Sequence, residues 1–315
     1  MRLRARILAA TLFAIFTAAG AQTQIAGIGE ISAGSDAEHF DALKLRTGAL
    51  LDYTSPFDYA GLAIQTTRYS QSGWRRDAPA VLVLWRKQDR NTLAGTIAEA
   101  GVVRIGDRTR LIGDATWSLR PSPRTGIELL AAADLIETQR SLERATTYTF
   151  AGISGERLLT PRFTAIGLAG YQRFSDGNER VHLRGRLIWM LIPEHGLSAQ
   201  LRLRQYDSKQ LEVGEAYFNP GRYREWQAGL AMRKRSAGWL WSGMLAAGRE
   251  QVDGHAWQTT RLVEVRAEGT LGKQTRLVLH ASYNRSAGFA VADDGYWHRV
   301  VGVMVIMPLR RPGSE

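Results

Sequence analysis

The chain has 315 residues, 41 Lys and Arg against 30 Asp and Glu, a formal charge of +11, and no cysteine. The lack of cysteine excludes a disulfide scaffold, a thiolate metal site and a cysteine nucleophile. The length admits two soluble domains or one large single-layer fold, and the basic surplus bears on what the molecule attracts rather than on how it folds.

Arg2, Arg4 and Arg6 precede an uncharged run from Ile7 to Gly20, and Ala19-Gly20-Ala21 gives a small-x-small cleavage pattern. A spanning helix needs roughly 20 apolar residues, and this run has 14. Residues 1–21 are therefore expected to be a cleaved signal peptide and residues 22–315 one exported domain. Losing the three arginines lowers the charge from +11 to +8. No other segment approaches a spanning helix, which argues against the inner membrane.

Beyond Gln22 one kind of segment repeats: about ten residues of alternating character, set off by Gly, Asp, Asn, Pro and Ser. In Leu43 to Tyr53, Lys44, Arg46 and Asp52 oppose Leu43, Leu45, Ala49 and Leu51. In Val181 to Leu191, His182, Arg184 and Arg186 oppose Val181, Leu183, Leu187, Trp189 and Leu191. After Pro193-Glu194-His195-Gly196 the pattern resumes, with Gln200, Arg202 and Arg204 against Ala199, Leu201 and Leu203.

This rhythm predicts strands near 25–34, 40–53, 58–70, 79–88, 92–104, 108–119, 125–136 and 144–154. It predicts further strands near 162–174, 179–192, 196–207, 222–234, 238–251, 256–270, 273–286 and 296–308. No helical period stands out after the leader. The expected fold is all-β: a single transmembrane antiparallel up-and-down barrel of about sixteen strands in the outer membrane of a Gram-negative cell. The even-numbered connections are mostly short, and the two longest, 207–221 and 287–295, are odd-numbered, as short periplasmic turns and longer outer loops require.

Tyr53, Tyr69, Tyr148, Tyr206, Trp239 and Tyr296 fall near strand ends and are expected to form interfacial girdles. A soluble β-sandwich is the rival fold; the absence of long crossovers counts against it. Gly302, Val305 and Met307 have the spacing of the terminal signal read by barrel-assembly machinery, although the chain continues past Pro308 without the usual final aromatic.

Lys44, Arg46, Arg180, Arg184, Arg186, Arg202, Arg204, Arg233, Arg235 and Arg276 occupy the face opposite the lipid stripe and are expected to line the lumen. Arginine facing lipid at mid-depth costs roughly 2–4 kcal/mol, which pushes them inward. Two readings stand. A basic lumen concentrates anions, or the arginines pair with Glu99, Asp114, Glu128, Asp134, Glu225, Glu264 and Glu268 and prop the wall.

Tyr217, Phe218, Asn219 and Tyr223 close the longest loop; a packed Asn-Pro turn is favoured there over a carbohydrate-stacking platform. Ser175 to Asn178 reads as a hairpin turn with too few oxygens for calcium. His280 and Ser282 point the same way on a strand and resemble the His-x-Ser of outer-membrane phospholipase and lipid A deacylase barrels, with Asp293 or Asp294 as orienting acid. A lipid substrate requires that pair on the lipid face, whereas it shares the face of Arg276.

The stretches 171–178 (Tyr-Gln-Arg-Phe-Ser-Asp-Gly-Asn), 217–223 (Tyr-Phe-Asn-Pro-Gly-Arg-Tyr) and 68–71 (Arg-Tyr-Ser-Gln) before Trp74 resemble the barrel domains of exopolysaccharide secretion proteins, PgaA, BcsC and YaiO-like. The likeness extends over the mature chain. It implies a passive export pore without cofactor or metal, working with a separate periplasmic scaffold in place of the helical repeats that some members carry.

The first expectation is thus an exopolysaccharide channel, with an anionic polymer favoured by the basic lumen. The alternatives are an outer-membrane lipid hydrolase using His280 and Ser282, and a structural or receptor barrel with a closed lumen. Expected partners are outer-membrane lipid and lipopolysaccharide, the assembly machinery and the polysaccharide; nucleic acid is not expected.

Overall fold

The computed structural model describes residues 24–209, 212–213, 216–272, 274–286 and 296–309. Residues 1–21, where a signal peptide is expected, Asp293 and Asp294, and the residues after Leu309 lie outside the described residues.

Sixteen strands form one closed ring in which each pairs with its sequence neighbours and the first pairs with the last. They are β1 (Gln24–Asp36), β2 (Asp41–Ser55), β3 (Asp58–Gln71), β4 (Trp74–Gln88), β5 (Gly95–Ile105), β6 (Arg108–Ser122), β7 (Thr125–Leu135) and β8 (Thr147–Thr160). The second half holds β9 (Phe163–Phe174), β10 (Glu179–Ile192), β11 (Leu197–Ser208), β12 (Arg222–Ser236), β13 (Trp239–Val252), β14 (Gln258–Leu271), β15 (Thr275–Ser286) and β16 (Tyr296–Leu309). Every pair is antiparallel, and closure runs through Ile28 opposite Ile306 and Ala26 opposite Pro308. Closure leaves no edge with unpaired backbone groups, the condition for a sheet to stand in hydrocarbon.

The alternation sorts the side chains by face. On β10, Val181, Leu183, Leu187 and Trp189 point outward and are about half exposed, while Arg180 and His182 are buried on the inside. Odd-numbered connections form the loop rim and even-numbered ones the turn rim. Turns such as 56–57, 123–124 and 237–238 contrast with loops 136–146 and 209–221.

Several sequence expectations are corrected. β4 begins at Trp74, not 79, because Pro79 sits within the strand opposite Thr66; proline cannot donate to a ladder and reads as a boundary. The β7–β8 loop holds a one-turn helix, α1 (Gln139–Arg144), capped by Thr138 accepting from Ser141 N, where the sequence suggested no helix. It is too short to show a period.

Five of the six aromatics expected in the girdles, the tyrosines, point inward, whereas Trp239 shares the outward face of Trp241. Tyr53, Tyr69 and Tyr206 are buried, a bulge between Leu50 and Asp52 turning Tyr53 in, and the Tyr296 hydroxyl donates to Asp36 at 2.8 Å. Outward aromatics of the turn rim include Trp85, Trp117, Phe163, Trp189, Trp239 and Trp241. Part of the inner wall is also apolar: Ala78, Ala80, Leu82 and Leu84 of β4 pack with Leu50, Val103, Ile105, Ile112 and Ile306.

Candidate functional site: the lumen and its arginines

The register brings four of the predicted arginines into one block. Arg184 stands opposite Arg204, and Arg186 opposite Arg202, across the β10–β11 pair. They line a cavity of about 380 Å³, with Glu128, Ser154, Glu225 and Asn284 also on its wall. Among the described residues none of the four has a carboxylate within 4.0 Å.

Glu225 is opposite Arg204 in register, but its carboxylate accepts from Gln227 Nε2 at 2.9 Å. Arg204 instead lies over the rings of Tyr206 and Tyr223, at 5.4 and 5.5 Å, and its buried Nε has no hydrogen-bond partner. Arg202 Nη1 faces Met244 Sδ at 3.7 Å. Like charges directly opposite on a sheet repel, and the block puts four positive charges on the cavity wall beside Glu128 and Glu225.

The other predicted lumen residues behave differently. Arg46 is neutralised: it donates to both oxygens of Glu99 at 2.9 and 3.0 Å and to Gln65 at 3.1 and 2.8 Å, with Glu30 at 3.5 Å. It shares a smaller cavity, about 160 Å³, with Lys44, Glu99, Asp114, Asp134 and Glu137. Arg276 pairs with Glu268 and donates to Pro56 O at the turn rim. Arg233 and Arg235 keep the inward register but are exposed at the end of β12. On the lumen wall the β10–β11 arginines thus make no direct ion pair among the described residues, whereas Arg46 is paired with carboxylates.

Arg180 holds a loop. Its guanidinium lies 4.5 Å from the Tyr206 ring and 5.1 Å from Phe174, and donates to Ser208 Oγ, Phe218 O and Asn219 Oδ1. Tyr217 stacks on Phe174 at 4.7 Å, donates to Asp176 Oδ2 and accepts from Asn178 Nδ2. Burial pushes the Tyr217 hydroxyl pKa up, and the hydrogen bond to Asp176 adds to that. Tyr223 stacks on Tyr206 at 4.6 Å, T-packs against Phe218 and donates to Glu250. The stacked, buried rings of Tyr217 and Tyr223 have the packing of a closed turn.

Ala216 O of the same loop accepts from Ser141 Oγ of α1 at 2.9 Å and from Thr138 Oγ1. Leu142 of α1 is buried in the apolar cluster with Tyr69 of β3, whose hydroxyl donates to Glu137. The two longest described loops are thus tied to each other and to β3 at the mouth.

His280 and Ser282 face the lumen, opposite Gly302 and Val300. No hydrogen bond joins them among the described residues. The His280 ring occupies the space over Gly302, with Cε1 2.2 Å from where a Cβ would stand. Glu250 was not singled out from sequence; it is a fully buried carboxylate at the loop rim, and only its inward register, opposite Glu225, marks it.

A closed sixteen-stranded antiparallel barrel with a polar, charged lumen is the class that fold and site define. No family model and no curated protein matches the sequence. Among solved structures the chain is similar to one described as a bacterial polysaccharide outer membrane secretin, at 12% identity and a TM-score of 0.66, covering 92% of this chain and 100% of that one. It is also similar to CdiB from Acinetobacter baumannii (9% identity, TM-score 0.48, 91% and 60% covered). A third is OprD from Pseudomonas aeruginosa (11% identity, TM-score 0.46, 93% and 96% covered). At these identities the likeness is one of fold.

Proposed function

We propose that the protein is an outer-membrane channel that passes an anionic polysaccharide through its lumen. The observation that carries this reading is the Arg184–Arg186–Arg202–Arg204 block, which lines one cavity and makes no ion pair among the described residues, with Glu128 and Glu225 on the same wall. A polymer carrying carboxylates or phosphates exchanges weak contacts along such a wall, each strong enough to draw it in and weak enough to release it. The polysaccharide substrate class is supported by the description of the neighbour with TM-score 0.66 as a polysaccharide secretin. The lipid-facing belt supports the location.

Block of single-channel current by acidic and by neutral oligosaccharides of equal length tests the reading. Alginate oligomers are expected to interrupt the current at concentrations at which dextran oligomers do not. Equal block by both, or none by alginate, contradicts it.

A barrel with a closed lumen is the second reading, favoured by the hydrogen bonds from Thr138 and Ser141 to Ala216 across the mouth. In that case the loops gate the lumen, and conductance appears only when they part.

A further inference from the structure

The outer wall carries a second basic surface, separate from the lumen. At the loop ends of β12 to β16 runs a row of outward arginines, Arg224, Arg249, Arg261, Arg285 and Arg299, with Arg222 beside Arg224 on β12. Register fixes their face. Arg224 alternates with the buried Tyr223, Arg249 is opposite the outward Trp226, Arg261 opposite Ala247 and Arg285, and Arg299 opposite Tyr283. Each lies within four residues of the loop end of its strand. With strands about 4.8 Å apart, the row follows about 20 Å of the wall.

Four of these arginines make no ion pair among the described residues, although Arg299 lies over the Trp297 ring at 5.1 Å. Arg224, Arg249, Arg261 and Arg299 are exposed, and among the described residues none has a carboxylate within 4.0 Å. Neutralised outward arginines also occur on this rim: Arg68 is paired with Asp77, and on β12 itself Arg222 is paired with Asp207. The opposite rim differs. Its outward belt is aromatic, with Phe163 stacked on Trp189 at 5.7 Å, and its outward basic strand residues are Lys87, Arg157 and Lys234.

Directly toward mid-depth from the arginines lie Leu230, Leu245, Val263, Val265 and Val301, all outward and 37–62% exposed. A ligand that fits this wall carries anionic groups immediately next to hydrocarbon. Outward arginine is tolerated at the interface at about 0–1 kcal/mol, against roughly 2–4 at mid-depth, and its planar fork matches phosphate oxygens bidentately. We propose that the row from Arg224 to Arg299 binds the phosphorylated headgroups of membrane lipid whose acyl chains pack on the apolar belt beside it.

The barrel in phosphatidylcholine nanodiscs is titrated with bis-phosphorylated lipid A and with its dephosphorylated form, wild type beside R224Q/R249Q/R261Q. The phosphorylated lipid is expected to bind the wild type at least about tenfold more tightly than the dephosphorylated one, and the triple variant to lose that preference. Inorganic phosphate at millimolar concentration is expected to displace none of it. Equal affinity for the two lipids, a preference unchanged in the triple variant, or displacement by inorganic phosphate overturns the proposal. If the triple variant does not insert, the wild-type comparison of the two lipids decides alone.

Discussion

Arg184 and Arg204 stand directly opposite each other on adjacent strands, both facing the lumen, with no carboxylate within 4.0 Å of either among the described residues. A sheet gains nothing from this pairing. Opposed like charges cost a few tenths to about 1 kcal/mol relative to neutral pairs, so the arrangement reads as a feature kept for what enters the lumen.

Neutralising one member should leave the fold intact. Arg204→Gln is expected to leave the urea midpoint of the purified barrel unchanged or to raise it, by up to about 1 kcal/mol in stability. A loss well beyond that means Arg204 is held by contacts more stabilising than its two aromatic neighbours.

Arg46 predicts the opposite. Its guanidinium answers Glu99, Glu30 and Gln65 together, and removing it strands half-buried carboxylates. Arg46→Leu should destabilise by about 1–3 kcal/mol, with part of that recovered in Arg46→Leu/Glu99→Gln. Additive losses in the double variant contradict the pairing.

Most of the barrel was legible because each strand alternates its faces, and a lipid belt leaves charged residues one place to go. All sixteen strands follow from that rhythm, including those whose caps moved. The inward arginines on β10 and β11 were readable for the same reason. What the alternation does not encode is which inward charge meets which across the lumen. Arg46 and Glu99 are 53 positions apart in sequence, and their meeting depends on barrel curvature. The inward tyrosines were misplaced because strand-end aromatics suit either face, and the bulge that turns Tyr53 shifts the alternation locally. The α1 contact with Ala216 left no trace in the sequence, being made between two irregular loops.

The long loop is pinned at Tyr217. Tyr217→Ala removes the stack on Phe174 and two hydrogen bonds, and should make the 209–221 loop the first site of limited proteolysis. Cleavage at wild-type rate in that loop contradicts the latch.

The β4–β5 turn gives a pH signature outside the membrane-spanning strands. Asp89 Oδ1 accepts from Thr92 N at 2.7 Å and Asn91 N at 3.0 Å, and these bonds, with that from the Thr92 hydroxyl, hold its carboxyl pKa below the ordinary value. A depressed carboxyl contributes stability above its unfolded pKa and loses it as pH falls through the folded one. The Thr92 amide proton of the micelle-bound barrel should therefore shift with a midpoint below that of free aspartate. A midpoint at or above the free value contradicts the turn geometry.

The central claim is that the arginine block makes the lumen attract anions, and the reversal potential of the reconstituted channel in a potassium chloride gradient tests it most directly. Wild type is expected to be anion-selective, and R184Q/R186Q/R202Q/R204Q to lose that selectivity while still conducting. Cation selectivity in the wild type, or anion selectivity undiminished in the quadruple variant, contradicts the account.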